Sequence, residues 1–182
     1  MKKESSAVYI ARLAITLLLI TAVVAAGLAC VNAVTAPEIE ALNAQKTQTA
    51  IEAVLPGGGE EIAFTDDSGI VSTIYKGQSG YAVEVTPAGF NGTVTMMVGV
   101  DNAGKVLGIS IVNHTETAGL GAEAASQGAA GTAFRSQFAG MSGSVSVSKD
   151  GGQVDALTGA TITSRAVCAG VNAALNAVAK LG

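Results

Sequence analysis

Residues 13–37 contain no charged side chain, and 13–34 is almost wholly apolar. At about 1.5 Å per helical residue that stretch reaches roughly 33 Å, enough to cross the hydrocarbon core of a bilayer. One transmembrane helix is predicted over 13–34. Next, Ile39, Leu42, Ile51, Val54 and Leu55 recur among Glu, Gln, Lys and Ala. Their spacing predicts a helix over 38–55, ended by Pro56 and Gly57-Gly58-Gly59. The period then falls to two. Tyr81, Val83 and Val85 alternate with Ala82, Glu84 and Thr86; Val94, Met96, Val98 and Val100 repeat the pattern, as do Leu107, Ile109 and Ile111. Strands are predicted over 70–75, 81–86, 93–100 and 106–112, each with one apolar face, as in an antiparallel sheet packed on one side. Asp101-Asn102-Ala103-Gly104 reads as the hairpin turn between the last two. Asp66, Gly69, Val71 and Ile74 recur in register as Asp101, Gly104, Val106 and Ile109, which two copies of a turn followed by a strand explain.

After His114 the chain turns to Gly, Ala and Ser. Loops and short helices are expected to about residue 138, then a brief strand over 144–148. A terminal helix buries Val167, Val171, Ala174, Leu175 and Val178, spaced i, i+4, i+7, i+8 and i+11. The class is α+β: one transmembrane helix, then a domain with an antiparallel sheet and a C-terminal helix. The expected division is 1–12 N-terminus, 13–34 transmembrane helix, 35–56 stalk helix and 57–182 domain.

Charge orients this plan. Lys2, Lys3 and Arg12 precede the apolar stretch, whereas Lys46 alone follows Pro37 within twenty residues. The positive-inside rule puts residues 1–12 in the cytoplasm and the domain outside it, on a single-pass anchor in the cell membrane. A cleaved signal peptide is the rival, with Val34-Thr35-Ala36 resembling a cleavage site. The apolar stretch exceeds the usual 7–15 residues of such signals, and retention as an anchor is expected. Beyond Pro37, seven Lys and Arg face thirteen Asp and Glu, a formal charge of −6. That balance, with no basic patch, excludes nucleic acid as a partner. Two cysteines and one histidine supply no metal-ligand set. Cys30 in the bilayer and Cys168 in the last helix are not a disulfide pair.

Two stretches carry chemistry. Asp155-Ala156-Leu157-Thr158-Gly159-Ala160-Thr161 leads into the terminal helix. The first N–H groups of a helix lack internal partners and its dipole favours negative charge there, so this is an anion seat. Gly159 and Ala160 permit close backbone approach, and Thr158, Thr161, Thr163 and Ser164 offer hydroxyls. The plainer reading is an ordinary N-cap. The second stretch, His114-Thr115-Glu116-Thr117-Ala118-Gly119-Leu120-Gly121, leaves a strand with glycines on both sides of Leu120. Alone it reads as a strand-exit loop.

Taken together, the two stretches resemble the FMN-binding family that includes the G subunit of Rnf complexes and the C subunit of the sodium-pumping NADH:quinone reductase. Asp-x-x-Thr-Gly-Ala-Thr is similar to its flavinylation motif, and His-x-Glu-Thr-x-Gly-Leu-Gly to the loop that lies along its flavin. The resemblance implies that a flavin transferase links FMN covalently, through its phosphate, to Thr161. Thr158, Gly159 and Ala160 then belong to the attachment loop, and Glu116, Thr117, Gly119, Leu120 and Gly121 contact the flavin. Ala118 departs from the proline common in the family and loosens the loop. Lys149 stands either as a counter-charge to the phosphate or as a solvated turn lysine.

The chain's length and the segment Lys105-Val106-Leu107-Gly108 favour the Rnf side over the quinone reductase. The implied function is an electron-transfer subunit within an ion-translocating ferredoxin:NAD oxidoreductase that pumps Na+ or H+, partnered by the other Rnf subunits. No independent catalytic residue and no metal are expected. The alternatives are the C subunit of the quinone reductase, or an anchored extracytoplasmic binding module with Thr161 as a cap. A hydrolase is disfavoured, because Gly140-Met141-Ser142-Gly143-Ser144 lacks the final glycine of a nucleophile elbow.

Overall fold

The structure is a computed structural model that describes residues 6–65 and 68–181. Its contacts divide the chain into two compact units, with the division between Ala44 and Gln45. Helix α1, Ser6–Val54, supplies residues to both and carries Pro37 inside it. The stalk was read as a helix continuing from the membrane segment, and one helix covers both stretches. Proline at position 37 removes one main-chain donor and the helix tolerates the loss. Residues 1–5 of the expected N-terminal segment, and Asp66 of the echoed turn, lie outside the described residues.

In the first unit the apolar side chains of α1 are exposed, among them Leu17, Leu28 and Val34. None of its most apolar window is buried against protein, and the helix is long and apolar enough to cross a membrane. Its hydroxyls are satisfied within the helix. Thr16, Thr21 and Thr35 donate to the carbonyls of Arg12, Leu17 and Val31 at 2.8, 3.0 and 3.1 Å. A helix apolar all round, with its polar groups turned inward, suits hydrocarbon.

The second unit is built on a five-stranded antiparallel meander in the order β1-β2-β3-β4-β5. The strands are β1 (Glu60–Ile62), β2 (Val71–Lys76), β3 (Gly80–Val85), β4 (Val94–Asp101) and β5 (Val106–His114). The β4–β5 hairpin closes as its residues dictate. Asp101 Oδ1 accepts from the N–H groups of Ala103 and Lys105 at 2.9 and 2.8 Å, and Gly104 takes a φ of 76°. Two short helices follow the sheet, a 3-10 turn at Gly121–Ala125 and α2 at Ala129–Ser136, and the chain ends in α3, Thr161–Leu181. One sheet face carries Ile74, Val83, Val85, Met96, Val98 and Val100, packed against Val167, Val171, Ala174, Leu175 and Val178 of α3 with Phe134 and Phe138.

Three features depart from the sequence reading. The opposite sheet face is also covered: Ala82 and Met97 are fully buried against Ala50, Ile51, Val54 and Leu55. A Cβ on Gly99 would collide with the Val54 carbonyl, so glycine there sets the approach of the helix end. Strand β1 was missed because Glu60-Glu61-Ile62 is short and charged. The strand expected over 144–148 is absent; Val147 makes only an isolated parallel bridge to Val154. A side chain takes the place of a neighbouring strand. The Asn172 amide accepts from Val145 N–H and donates to its carbonyl, both at 2.8 Å.

Candidate functional site

β5 delivers His114 to the sheet edge opposite Val94, and the loop after it is stitched to the β3–β4 connection. Asn91 Nδ2 donates to the Thr115 carbonyl at 2.9 Å, and Thr115 Oγ1 donates to the Asn91 carbonyl at 2.7 Å. Glu116 is 8% exposed. Its Oε1 accepts from the N–H groups of Phe90 and Asn91 at 2.7 and 3.3 Å, while Oε2 accepts from Thr163 Oγ1 at 2.7 Å. One carboxylate thus joins the β3–β4 connection, the strand-exit loop and the first turn of α3. Charge-assisted bonds of this kind are the stronger ones in proteins. His114 Nδ1 is buried with no hydrogen-bond partner among the described residues, and nothing in the structure explains it.

The next residues fold over that tie. The Thr117 carbonyl accepts from the N–H groups of Leu120 and Ala122, each at 3.2 Å, with Gly119 at a φ of 74°. Leu120 is thereby turned outward and exposed. A Cβ on Gly121 would collide with Glu116 Oε2 and with Thr163 Oγ1, 2.5 Å from each, so only glycine passes there.

On the other side, Gln137 holds the approach to α3. Its Oε1 accepts from Asp155 N–H at 2.7 Å and its Nε2 donates to the Asp155 carbonyl at 3.2 Å. Gly159 turns the chain at a φ of 73°, and the Ala160 N–H returns to the Leu157 carbonyl at 3.0 Å. The structure sorts the four hydroxyls. Thr163 and Ser164 are buried, Thr163 committed to Glu116, while Ser164 Oγ accepts from Leu157 N–H and donates to the Ala160 carbonyl, both at 3.0 Å. Thr158 is exposed and Thr161 half-buried. These two hydroxyls flank the open end of α3.

Both sequence stretches meet here. A Cβ on Gly159 would stand 2.9 Å from Leu120 Cδ2, so the two loops touch. Between them and α2 lies a cleft of about 600 Å3 lined by Gly119, Leu120, Phe134, Asp155, Leu157 and Thr158, among others, within the usual size of a cofactor site. Glu123 reaches its rim. Larger clefts along α3, one of about 700 Å3 beside Tyr81 and Leu175, lack a helix start. Phe134 brings an aromatic ring to a lining that is otherwise aliphatic and polar.

Electrostatics converge on the same helix start. The turn Ser148–Asp150, closed by Gly151 at a φ of 82°, is fixed by Asp150, whose two oxygens each accept from Arg165 at 2.7 Å. The Arg165 bond holds the Asp150 carboxyl below its usual range, and Asp150 raises Arg165 in return. Lys149 Nζ donates to Thr161 Oγ1 at 3.1 Å. Nearby, burial and then Asp150 push the Cys168 thiol up to about 11, which leaves it protonated and inert at neutral pH. Arg135 donates to the carbonyls of Ala124 and Ser126 at 2.6 and 2.8 Å, pinning the 3-10 turn; burial lowers its pKa.

The donor set suits an anionic flavin nucleotide. The N–H groups at the start of α3 and the Thr161 hydroxyl would suit a phosphate, and the cleft beside Leu120 and Leu157 an extended ring. The profile of a family described as the FMN-binding domain matches residues 89–176. The G subunit of the Na(+)-translocating ferredoxin:NAD(+) oxidoreductase complex of Acetobacterium woodii is 35% identical, over 88% of this chain and 87% of its own length. The chain belongs to the family of G subunits of ion-translocating oxidoreductase complexes. The G subunit of the ion-translocating oxidoreductase complex of Methanosarcina acetivorans is 31% identical, over 93% of this chain and 94% of its own length. The G subunit of the proton-translocating ferredoxin:NAD(+) oxidoreductase complex of Clostridium ljungdahlii is 40% identical, over 54% of this chain and 52% of its own length. Both stretches fall within the matched residues 89–176. Of the residues singled out in the sequence, Gly119, Leu120 and Thr158 line the cleft, Gly159 meets Leu120, Thr161 opens α3 and Thr117 is exposed; Gly121, Ala160 and Glu116 are buried. Gln137 was not singled out, because its two bonds to Asp155 cross eighteen residues.

Proposed function

We propose that this chain is the electron-transferring G subunit of a membrane-bound, Rnf-type ferredoxin:NAD oxidoreductase that moves Na+ or H+, with its FMN tied by a phosphoester to Thr161. The relatives of that name, spanning nearly the whole chain, support the complex and its other subunits as partners. The observation that carries the attachment is the position of Thr161. Its hydroxyl stands at the open start of α3, is reached by a lysine and lies next to a loop that touches Leu120. Bound FMN supplies two-electron and one-electron redox chemistry, and the protein sets its position and surroundings.

The chain's own residues do the holding. The α3 N–H groups face the phosphate, Leu120 and Leu157 exclude water from the ring, and Glu116 keeps both loops in register from behind. Residues 1–12 are assigned to the cytoplasm and the flavin domain to the outer face, from the basic residues before the span. The working divisions are 13–34 in the bilayer, 35–56 as stalk and 57–182 as flavin domain. A separate flavin transferase makes the link, so no base beside Thr161 is required. Coexpression with that transferase should give a fluorescent band in denaturing gels, and Thr161→Val should give none. Equal fluorescence from Thr161→Val would refute the attachment site.

A further inference from the structure

Among the charged side chains of the second unit, Lys149 is singular in its surroundings. It lies in the middle of a three-residue 3-10 turn whose two flanks are fixed. Val147 before it is fully buried and bridged to Val154. Asp150 after it is gripped by both donors of Arg165. Gly152 seals the far side, where a Cβ would collide with the Ser146 carbonyl. A solvated turn lysine needs none of this support. Here the scaffold aims Nζ at a single oxygen, Thr161 Oγ1, at 3.1 Å. Asp150, the carboxylate next to Lys149, is occupied by Arg165, so the ammonium is left for the hydroxyl.

We propose that Lys149 is the resident counter-charge of the flavin phosphoester, held in place by the Asp150–Arg165 pair. This rests on the attachment at Thr161 argued above. A phosphodiester keeps one negative charge spread over two free oxygens at every pH near neutrality. Those oxygens sit on the phosphorus bonded to Thr161 Oγ1, within the reach of the three rotatable donors of an ammonium group. The helix start supplies partial positive charge through fixed N–H groups, and Lys149 supplies the full unit. Lys149 is a positioning residue: it touches the phosphate end of the cofactor and fixes where the ring enters the cleft.

The test uses the full chain, coexpressed with a flavin transferase and purified in phosphate-free detergent. Lys149→Ala and Lys149→Arg are compared with the unaltered chain by intact mass and by the 31P resonance of the bound phosphoester. The resonance is read at neutral pH, where Asp150 and Arg165 are both held ionised by their mutual bond; Asp155 and Glu123 are the same in every variant.

Lys149→Ala should carry FMN and show a displaced resonance, and Lys149→Arg should keep the position found in the unaltered chain. Loading by Lys149→Arg but not by Lys149→Ala, with the fold intact, would also support a cation at this oxygen. A loaded Lys149→Ala whose resonance matches the unaltered chain overturns the proposal alone. Failure of both variants to load, with the fold intact, assigns the lysine to transferase recognition and overturns it likewise. An unaltered chain with a bare Thr161 brings down the attachment reading instead, and this role with it.

Discussion

Glu116 shows how a residue's place can be legible while its partners are not. The His-x-Glu-Thr pattern marks it as belonging to the site, and the sequence reading has it contact the flavin directly. In the structure it is buried, with both oxygens engaged by Phe90, Asn91 and Thr163. The partners lie 25 to 47 positions away along the chain, a distance that no local pattern reports. Glu116→Ala leaves the Thr163 hydroxyl and two N–H groups without their acceptor, so urea unfolding should show a loss of about 3 kcal/mol. Unchanged stability would mean that water replaces the carboxylate. The place of Thr161 at the start of α3, by contrast, was legible, because a hydroxyl at a helix start is a local feature. Lys149 was legible only as a choice between counter-charge and solvated lysine, and the 3.1 Å contact to Thr161 decides which oxygen it faces.

At the scale of elements, the meander was readable because period-two alternation survives in β3, β4 and β5. The second covered face was not, since Ala82, Met97 and Gly99 look like filler until the end of α1 is laid on them. Gly99→Ala should push that helix end off the sheet and cost about 1–3 kcal/mol by overpacking, read from chemical denaturation. No loss would show that the helix end shifts freely. Glu84 on β3 is half-buried, and burial raises its carboxyl. The folded state then holds this proton more tightly than the unfolded one, so stability falls as pH rises from the ordinary carboxylate range through the raised value. Glu84→Gln should be more stable than the unaltered chain at neutral pH and lose that advantage in acid.

The Ser148–Asp150 turn has the opposite sign. Asp150 is lowered by its Arg165 bond, so its support is complete above the ordinary carboxylate range and is lost as pH falls through the depressed value. Amide protection at 147–151, taken relative to the intrinsic exchange rate at each pH, should fall in acid in the unaltered chain. Asp150→Asn should exchange faster at neutral pH and lack the acid step.

For the molecule as a whole, two numbers govern behaviour: an uncharged run of 25 residues and a formal charge of −6 after it. The first keeps the chain with the membrane fraction through alkaline extraction. The second keeps the flavin domain soluble at its surface and away from nucleic acid. Protease added outside intact spheroplasts should digest residues beyond Pro37 and spare 1–12; protection of the flavin domain would reverse the topology. The similar subunits are named from both sodium- and proton-translocating assemblies.

The covalent link is the claim on which the rest turns, and peptide mapping of the native membrane protein tests it most directly. Trypsin cutting after Lys149 and Arg165 releases residues 150–165 as one peptide. Its mass should exceed the sequence value by that of FMN less water, with fragmentation placing the addition on Thr161. A bare peptide from cells that contain the flavin transferase would contradict the account.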